Sequence, residues 1–196
     1  MDLTDVKKGL IDAVLDEATL LGIELDKSER RISLAFSILW LPEDETRQAI
    51  DTITIALYGI HRLAASHRDE NPANPDVAVL PIKLEKFADV VMSLGGTPVY
   101  GGSFLKDSKK EFSKYKDRLS IDHKFDSVES LYSIYLFQED NIYSLDFWIW
   151  FDELKVFVSD QQEIGISDLY EGCRRWWVAF YNKDSRTSGK GMYPVD

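Results

Sequence analysis

One cysteine and three histidines are all that the sequence offers to thiol and metal chemistry: Cys173, His61, His67 and His123 in a chain of 196 residues. A single thiol closes no intramolecular disulfide and supplies no thiolate cluster for a structural zinc, so the fold has to rest on packing. No HExxH or comparable pair brings two histidines together locally, and His61 and His67, six residues apart, would share only a strand face. Asp122 and His123 are adjacent in a strand pattern and point to opposite sides, which removes the simplest acid–base dyad. Serine hydrolase chemistry lacks its GxSxG elbow. The residues ask for no metal and no cofactor.

Long apolar runs are missing too. Nothing approaches the roughly 18 apolar residues in a row that a membrane span needs. The stretch MDLTDVKKGLIDAVLDEATLLG carries acids throughout, unlike a signal or transit peptide. Positive charge is scarce: 23 Lys and Arg stand against 34 Asp and Glu, a formal charge of −11. Such a field repels nucleic acid and anionic membrane and favours encounter with a basic protein. The expectation is a cytoplasmic protein with no nucleic-acid and no membrane partner. Residues 106–118 alone run against the trend, with Lys106, Lys109, Lys110, Lys114, Lys116 and Arg118 among three acids. They read as a solvated segment, with an acidic partner or a phosphate group as the functional alternative. A phosphate loop fails nearby: in GGTPVYGGS, Gly102 stands where the lysine belongs and Pro98 removes a backbone donor.

What the chain does have is apolar surface, 44% of residues, enough for one full core. Leu3, Val6, Leu10, Val14, Ala18 and Leu21 recur every three or four residues, predicting an N-terminal helix capped by Thr4 and stopped by Gly22. The period then drops to two. Ile32, Leu34, Phe36, Ile38 and Trp40 form one face of a strand, and Ile53, Ile55 and Leu57 one face of another. Two Asn-Pro pairs near 69–76 predict a long loop. A short strand near 77–84 follows, then a helix through Phe87, Val90, Val91 and Leu94. Four strands are expected at 118–124, 130–138, 142–151 and 154–159. Strands in succession with helices at the ends give an α+β class: a mostly antiparallel sheet of roughly six to eight strands, with an N-terminal and a C-terminal helix packed on it. Residues 1–183 make a single domain, and 184–196 a polar tail.

YSLDFWIWFDELKVFVSD carries the main site expectation. A hairpin turning at Asp152 and Glu153 sets Phe151 against Leu154, Ile149 against Val156 and Phe147 against Val158, giving one wholly apolar face. The reverse face then presents Trp148, Trp150, Lys155 and Phe157, the candidate binding residues, although the turn lacks glycine. Either a further layer covers these rings or they form an interaction patch. In the C-terminal helix, Leu169, Cys173, Trp176, Trp177 and Phe180 make the buried stripe, which leaves Cys173 inert, while Arg174 and Arg175 lie beside it. The functional expectation is a non-catalytic acidic binding or inhibitor protein engaging a protein partner. One alternative is an enzyme or small-ligand binder with a site assembled from scattered residues such as His61, His123, Asp122 and Asp146. The other is a homo-oligomer joined through the aromatic face.

Overall fold

The computed structural model describes residues 4–15, 18–44, 50–70, 77–94, 100–104, 112–128, 130, 132–158 and 162–187. The chain runs α1 (Asp5–Leu15), β1 (Thr19–Asp26), β2 (Arg31–Trp40), β3 (Ile50–Tyr58), β4 (Arg62–Asp69), β5 (Ala78–Val79) and α2 (Phe87–Ser93). It continues with β6 (Tyr100–Phe104), β7 (Ile121–Lys124), β8 (Tyr132–Glu139), β9 (Tyr143–Phe151), β10 (Glu153–Val158), β11 (Glu163–Ile164) and α3 (Ile166–Tyr181). The class is α+β, and every strand pair is antiparallel.

The strands divide between two sheets rather than one. The first has the order β1-β2-β3-β10-β11, the second β5-β4-β9-β8-β6, with β7 pairing the free edge of β4 beside β5. β3 leaves the first sheet and re-enters the second as β4 through Gly59, Ile60 and His61; β9 leaves the second and enters the first as β10 through Asp152 alone. The two strands cross together. Tyr58 pairs with Glu153 on one side and Arg62 with Trp150 on the other. The pairing survives the bend, because Asp152 N–H donates to Tyr58 O at 3.0 Å and His61 N–H donates to Trp150 O at 2.9 Å. Strands that switch sheets at a bend are a standard way to build a corner between packed sheets.

This corner overturns the expected hairpin. Phe151 lies opposite Tyr132 in the second sheet and Leu154 opposite Leu57 in the first, so the two never face one another. An unbroken apolar face on both segments suits two facing sheets as well as it suits a hairpin, and the missing turn glycine was the one local sign. The glycine the bend does need is Gly59, at φ 62°, where a Cβ would meet Asp152 Oδ2 at 2.8 Å.

Inward residues of both sheets join in one apolar cluster, with Ile32, Leu34, Ile55 and Val156 from the first and Leu63, Ile134, Phe147 and Ile149 from the second. Each such side chain contributes about 1.5–3 kcal/mol by burial. α2 lies against β1, and its Phe87 meets Phe147 edge-on at 5.6 Å. α1 buries Ile11, Val14 and Leu15, and Thr4 Oγ1 accepts the Lys7 N–H at 3.4 Å at its start. It ends by Leu15, short of the expected Leu21. Thr19–Asp26 is a strand, and Gly22 sits at a register shift in it, not at a helix stop. The helical spacing of Ala18 and Leu21 was a coincidence of a strand that follows closely. Gly101 and Gly102 belong to β6; the Asn-Pro loop at 71–76 and residues 188–196 lie outside the described residues. Residues 185–187 form a 3-10 turn with Thr187 buried.

α3 docks on the end of β2. Trp176 is fully buried and stacks on Phe180 with centroids 5.2 Å apart, while Cys173 and Trp177 are half-buried. Leu41 N–H donates to Gly172 O at 3.1 Å, Trp40 Nε1 donates to Asp168 O at 3.3 Å, and Arg175 Nε donates to Leu41 O at 3.1 Å. Gly172 permits this approach, since a Cβ there would fall 1.8 Å from Trp40 Nε1. Gly172→Ala is therefore expected to destabilise by about 1–3 kcal/mol through overpacking. Gly9→Ala, in an open position of α1 with nothing within 4 Å, should stabilise by about 0.5–1 kcal/mol. Thermal denaturation of the two variants checks the opposite signs.

Candidate functional site

The corner gathers charged groups from four places in the chain. His61 is 4% exposed, fixed by its own N–H to Trp150 and by its carbonyl, which accepts Phe125 N–H at 2.8 Å. Its Nδ1 lies 2.8 Å from Asp126 Oδ1, and its Nε2 lies 2.8 Å from Asp152 Oδ1. The first contact is a hydrogen bond. The second is too poorly aligned for one and acts as an ion pair. Asp126 also accepts Val128 N–H at 3.0 Å and pairs with the Arg30 guanidinium. Arg30 itself adopts φ 47°, an uncommon conformation for a non-glycine residue, held by Ile60 N–H donating to its carbonyl at 3.0 Å.

A carboxylate against each ring nitrogen leaves room for no imidazole lone pair, so the arrangement suits the doubly protonated ring. Burial by itself would lower the His61 pKa, but the hydrogen bond to Asp126, the contact with Asp152 and their negative charge raise it above 6.5. In turn, the His61 hydrogen bond, with help from Val128 N–H and Arg30, holds Asp126 below the usual 3.8. With a carboxylate at each ring nitrogen, His61 clamps the corner.

Beside the clamp opens a cleft of about 420 Å³. Arg62, Phe112, Lys116, Lys124, Trp150 and residues 126–128 line it. Arg62 leads β4 directly after the clamp. Its Nε donates to Asp122 Oδ1 at 2.7 Å and its Nη2 to Asp122 Oδ2 at 2.8 Å, while its guanidinium carbon lies 4.3 Å from the Phe112 centroid and 4.9 Å from that of Trp150. Phe112 meets Trp150 edge-on at 5.1 Å. Lys116 and Lys124 are exposed, and neither has an ion-pair partner among the described residues.

The outer face of the second sheet continues from the cleft. Phe112 and Tyr115 cover Trp148, at 5.4 and 4.6 Å between centroids, leaving it 1% exposed. Beyond it Asp146, 2% exposed, accepts from the Tyr135 hydroxyl and from Arg68 Nη2 at 2.7 Å. Burial raises the Asp146 pKa against the pull of these two donors, and burial also raises that of Tyr115.

The four residues expected to share a binding face are thus split. Trp148 and Trp150 lie on the outer side of the second sheet, whereas Lys155 and Phe157 lie on the first, opposite Ala56 and Thr54. Trp150 faces Arg62 instead of Lys155, so Arg62 takes the cation's place over the indole. Lys155 sits 5.7 Å from the Tyr58 centroid, between Glu153 and Glu163. The scattered set does not converge either: His61 meets Asp126 and Asp152, Asp122 meets Arg62, Asp146 meets Arg68, and His123 packs edge-on to Phe125 at 4.6 Å. Sequence reasoning passed over Asp126, Arg30 and Arg62, and nothing local marks them. Among the described residues no group of three or more His, Cys, Asp or Glu side chains is placed to hold a metal ion, and no helix is long and apolar enough to cross a membrane. Comparison with protein-family models, curated proteins and solved structures gave no match.

Two expectations follow from the charges. A histidine whose folded pKa is raised contributes stability fully below its unfolded value of 6.5, and loses it as the pH rises through the folded value. Urea denaturation of the wild type should therefore show stability falling on the alkaline side of 6.5, and His61→Gln should flatten that fall while costing about 1–3 kcal/mol at lower pH. Asp146→Ala leaves Arg68 with Glu70 as its remaining ion-pair partner and is expected to cost about 3 kcal/mol in the same assay.

Proposed function

We propose that the chain is a non-catalytic binding protein that holds a small anionic ligand in the cleft beside the corner. The observation that carries this reading is the pair Lys116 and Lys124, exposed on one cleft and without ion-pair partners among the described residues, in a chain whose net charge is −11. Where acids outnumber bases overall, unneutralised cations gathered at a concave surface point to an anion. The exposed part of Trp150 supplies apolar contact area, and the volume falls at the small-molecule end of the range for ligand sites.

Binding is favoured over turnover because the one buried histidine at the cleft has a carboxylate at each ring nitrogen. The sole thiol, Cys173, belongs to α3, among the residues packed against the main core. A protein partner on the aromatic face is the weaker reading, since Phe112 and Tyr115 already cover Trp148. A cytoplasmic setting belongs to the same proposal and rests on the single free thiol.

Trp150 provides the readout. Titrating a panel of small aromatic anions is expected to change the indole fluorescence, with the change lost in Trp150→Phe. The double variant Lys116→Glu, Lys124→Glu should weaken binding about tenfold or more. Equal affinity in that double variant, or no response to any anion at millimolar concentration, would remove the proposal.

A further inference from the structure

We infer that the cleft selects a phosphomonoester that also bears a planar ring, its phosphate between Lys116 and Lys124 and its ring against Trp150. This rests on the proposed binding function and adds the chemical class of the ligand.

The argument begins with which cations are free. A carboxylate is recognised best by the planar fork of a guanidinium. The side-on fork of the cleft's arginine is taken, because Nε and Nη2 of Arg62 both donate to Asp122 while the group packs against Phe112 and Trp150. What remains are two ammonium groups, compact point charges on flexible stems, a donor type that suits a phosphate dianion. Ser127 adds a hydroxyl on the same wall.

Among the described residues Asp126 is the one acid lining the cleft, and it would oppose any anion if its charge were free. It is offset by the His61 ring and by Arg30. The clamp that builds the corner therefore also makes the neighbouring cleft hospitable to negative charge. A net charge of −11 over the chain limits how much: the field repels a polyphosphate or a nucleic-acid strand, so a single phosphate is what the local excess supports. Trp150, partly exposed and backed by Phe112 and the Arg62 guanidinium, offers flat surface for a ring.

Calorimetric titration of the full chain at constant ionic strength, with adenosine 5′-monophosphate, phenyl phosphate, inorganic phosphate, adenosine and benzoate as probes, tests this. A ring phosphate is expected to bind about tenfold or more tighter than inorganic phosphate and than its own unphosphorylated ring. Whichever of the nucleotide and the phenyl ester binds tighter identifies the ring. Lys116→Gln with Lys124→Gln should bring the ring phosphate down to the level of the bare ring, and Trp150→Leu down to that of inorganic phosphate. Benzoate matching phenyl phosphate, with no effect of the lysine substitutions on the difference, would overturn the phosphate assignment while leaving an anion-binding cleft. Failure of every probe would overturn both.

Discussion

A buried histidine held between two carboxylates fixes the point where a pair of strands leaves one sheet and enters the other. Charge in such a place is costly, since a desolvated ion forfeits hydration that its partners have to replace. Here the replacement is shared. Asp126 takes His61, Arg30 and a backbone N–H, while Asp152 stays half in water at 45% side-chain exposure and still meets the ring. These partners come from the turn after β1, the segment after β7 and the bend before β10. One ring therefore ties three connections to the corner, where backbone pairing alone would leave the bend angle loosely set.

From that corner the cleft follows as a consequence of position. Arg62 is the next residue after His61 and Trp150 its cross-strand partner, so fixing the histidine fixes the guanidinium and the indole. Asp126, Ser127 and Val128 come directly after the strand that carries Lys124. The outer face of the second sheet would otherwise be a bare row of tryptophans; Phe112 and Tyr115 close over its centre, and the open end becomes the cleft. Structure and proposed function thus depend on the same few groups, and the proposed binding surface rests on strands as well as loops.

Period and punctuation in the sequence disclosed most of the elements. The two-residue alternation of Ile32 to Trp40 and the spacing of Leu169, Trp176 and Phe180 each describe a local rule that the fold obeys, and α3 buries its tryptophan as that spacing requires. Errors arose where two structures satisfy the same local rule. A run of buried positions through Phe151 and Leu154 fits a hairpin or a strand that changes sheets, and the choice is made by distant partners, Tyr132 and Leu57. The N-terminal helix was drawn too long because Ala18 and Leu21 kept its period by chance. The site was hardly legible at all. His61, Asp126 and Asp152 lie 65 and 26 residues apart along the chain, and no spacing rule connects residues that only a corner brings together.

The protonation state of His61 is the quantity on which corner and cleft both turn, and it can be read directly from the ring ¹⁵N resonances of the folded protein. With carboxylates at both nitrogens, the ring should lose its second proton only above the ordinary value of 6.5. A ring that titrates at or below 6.5 would contradict it.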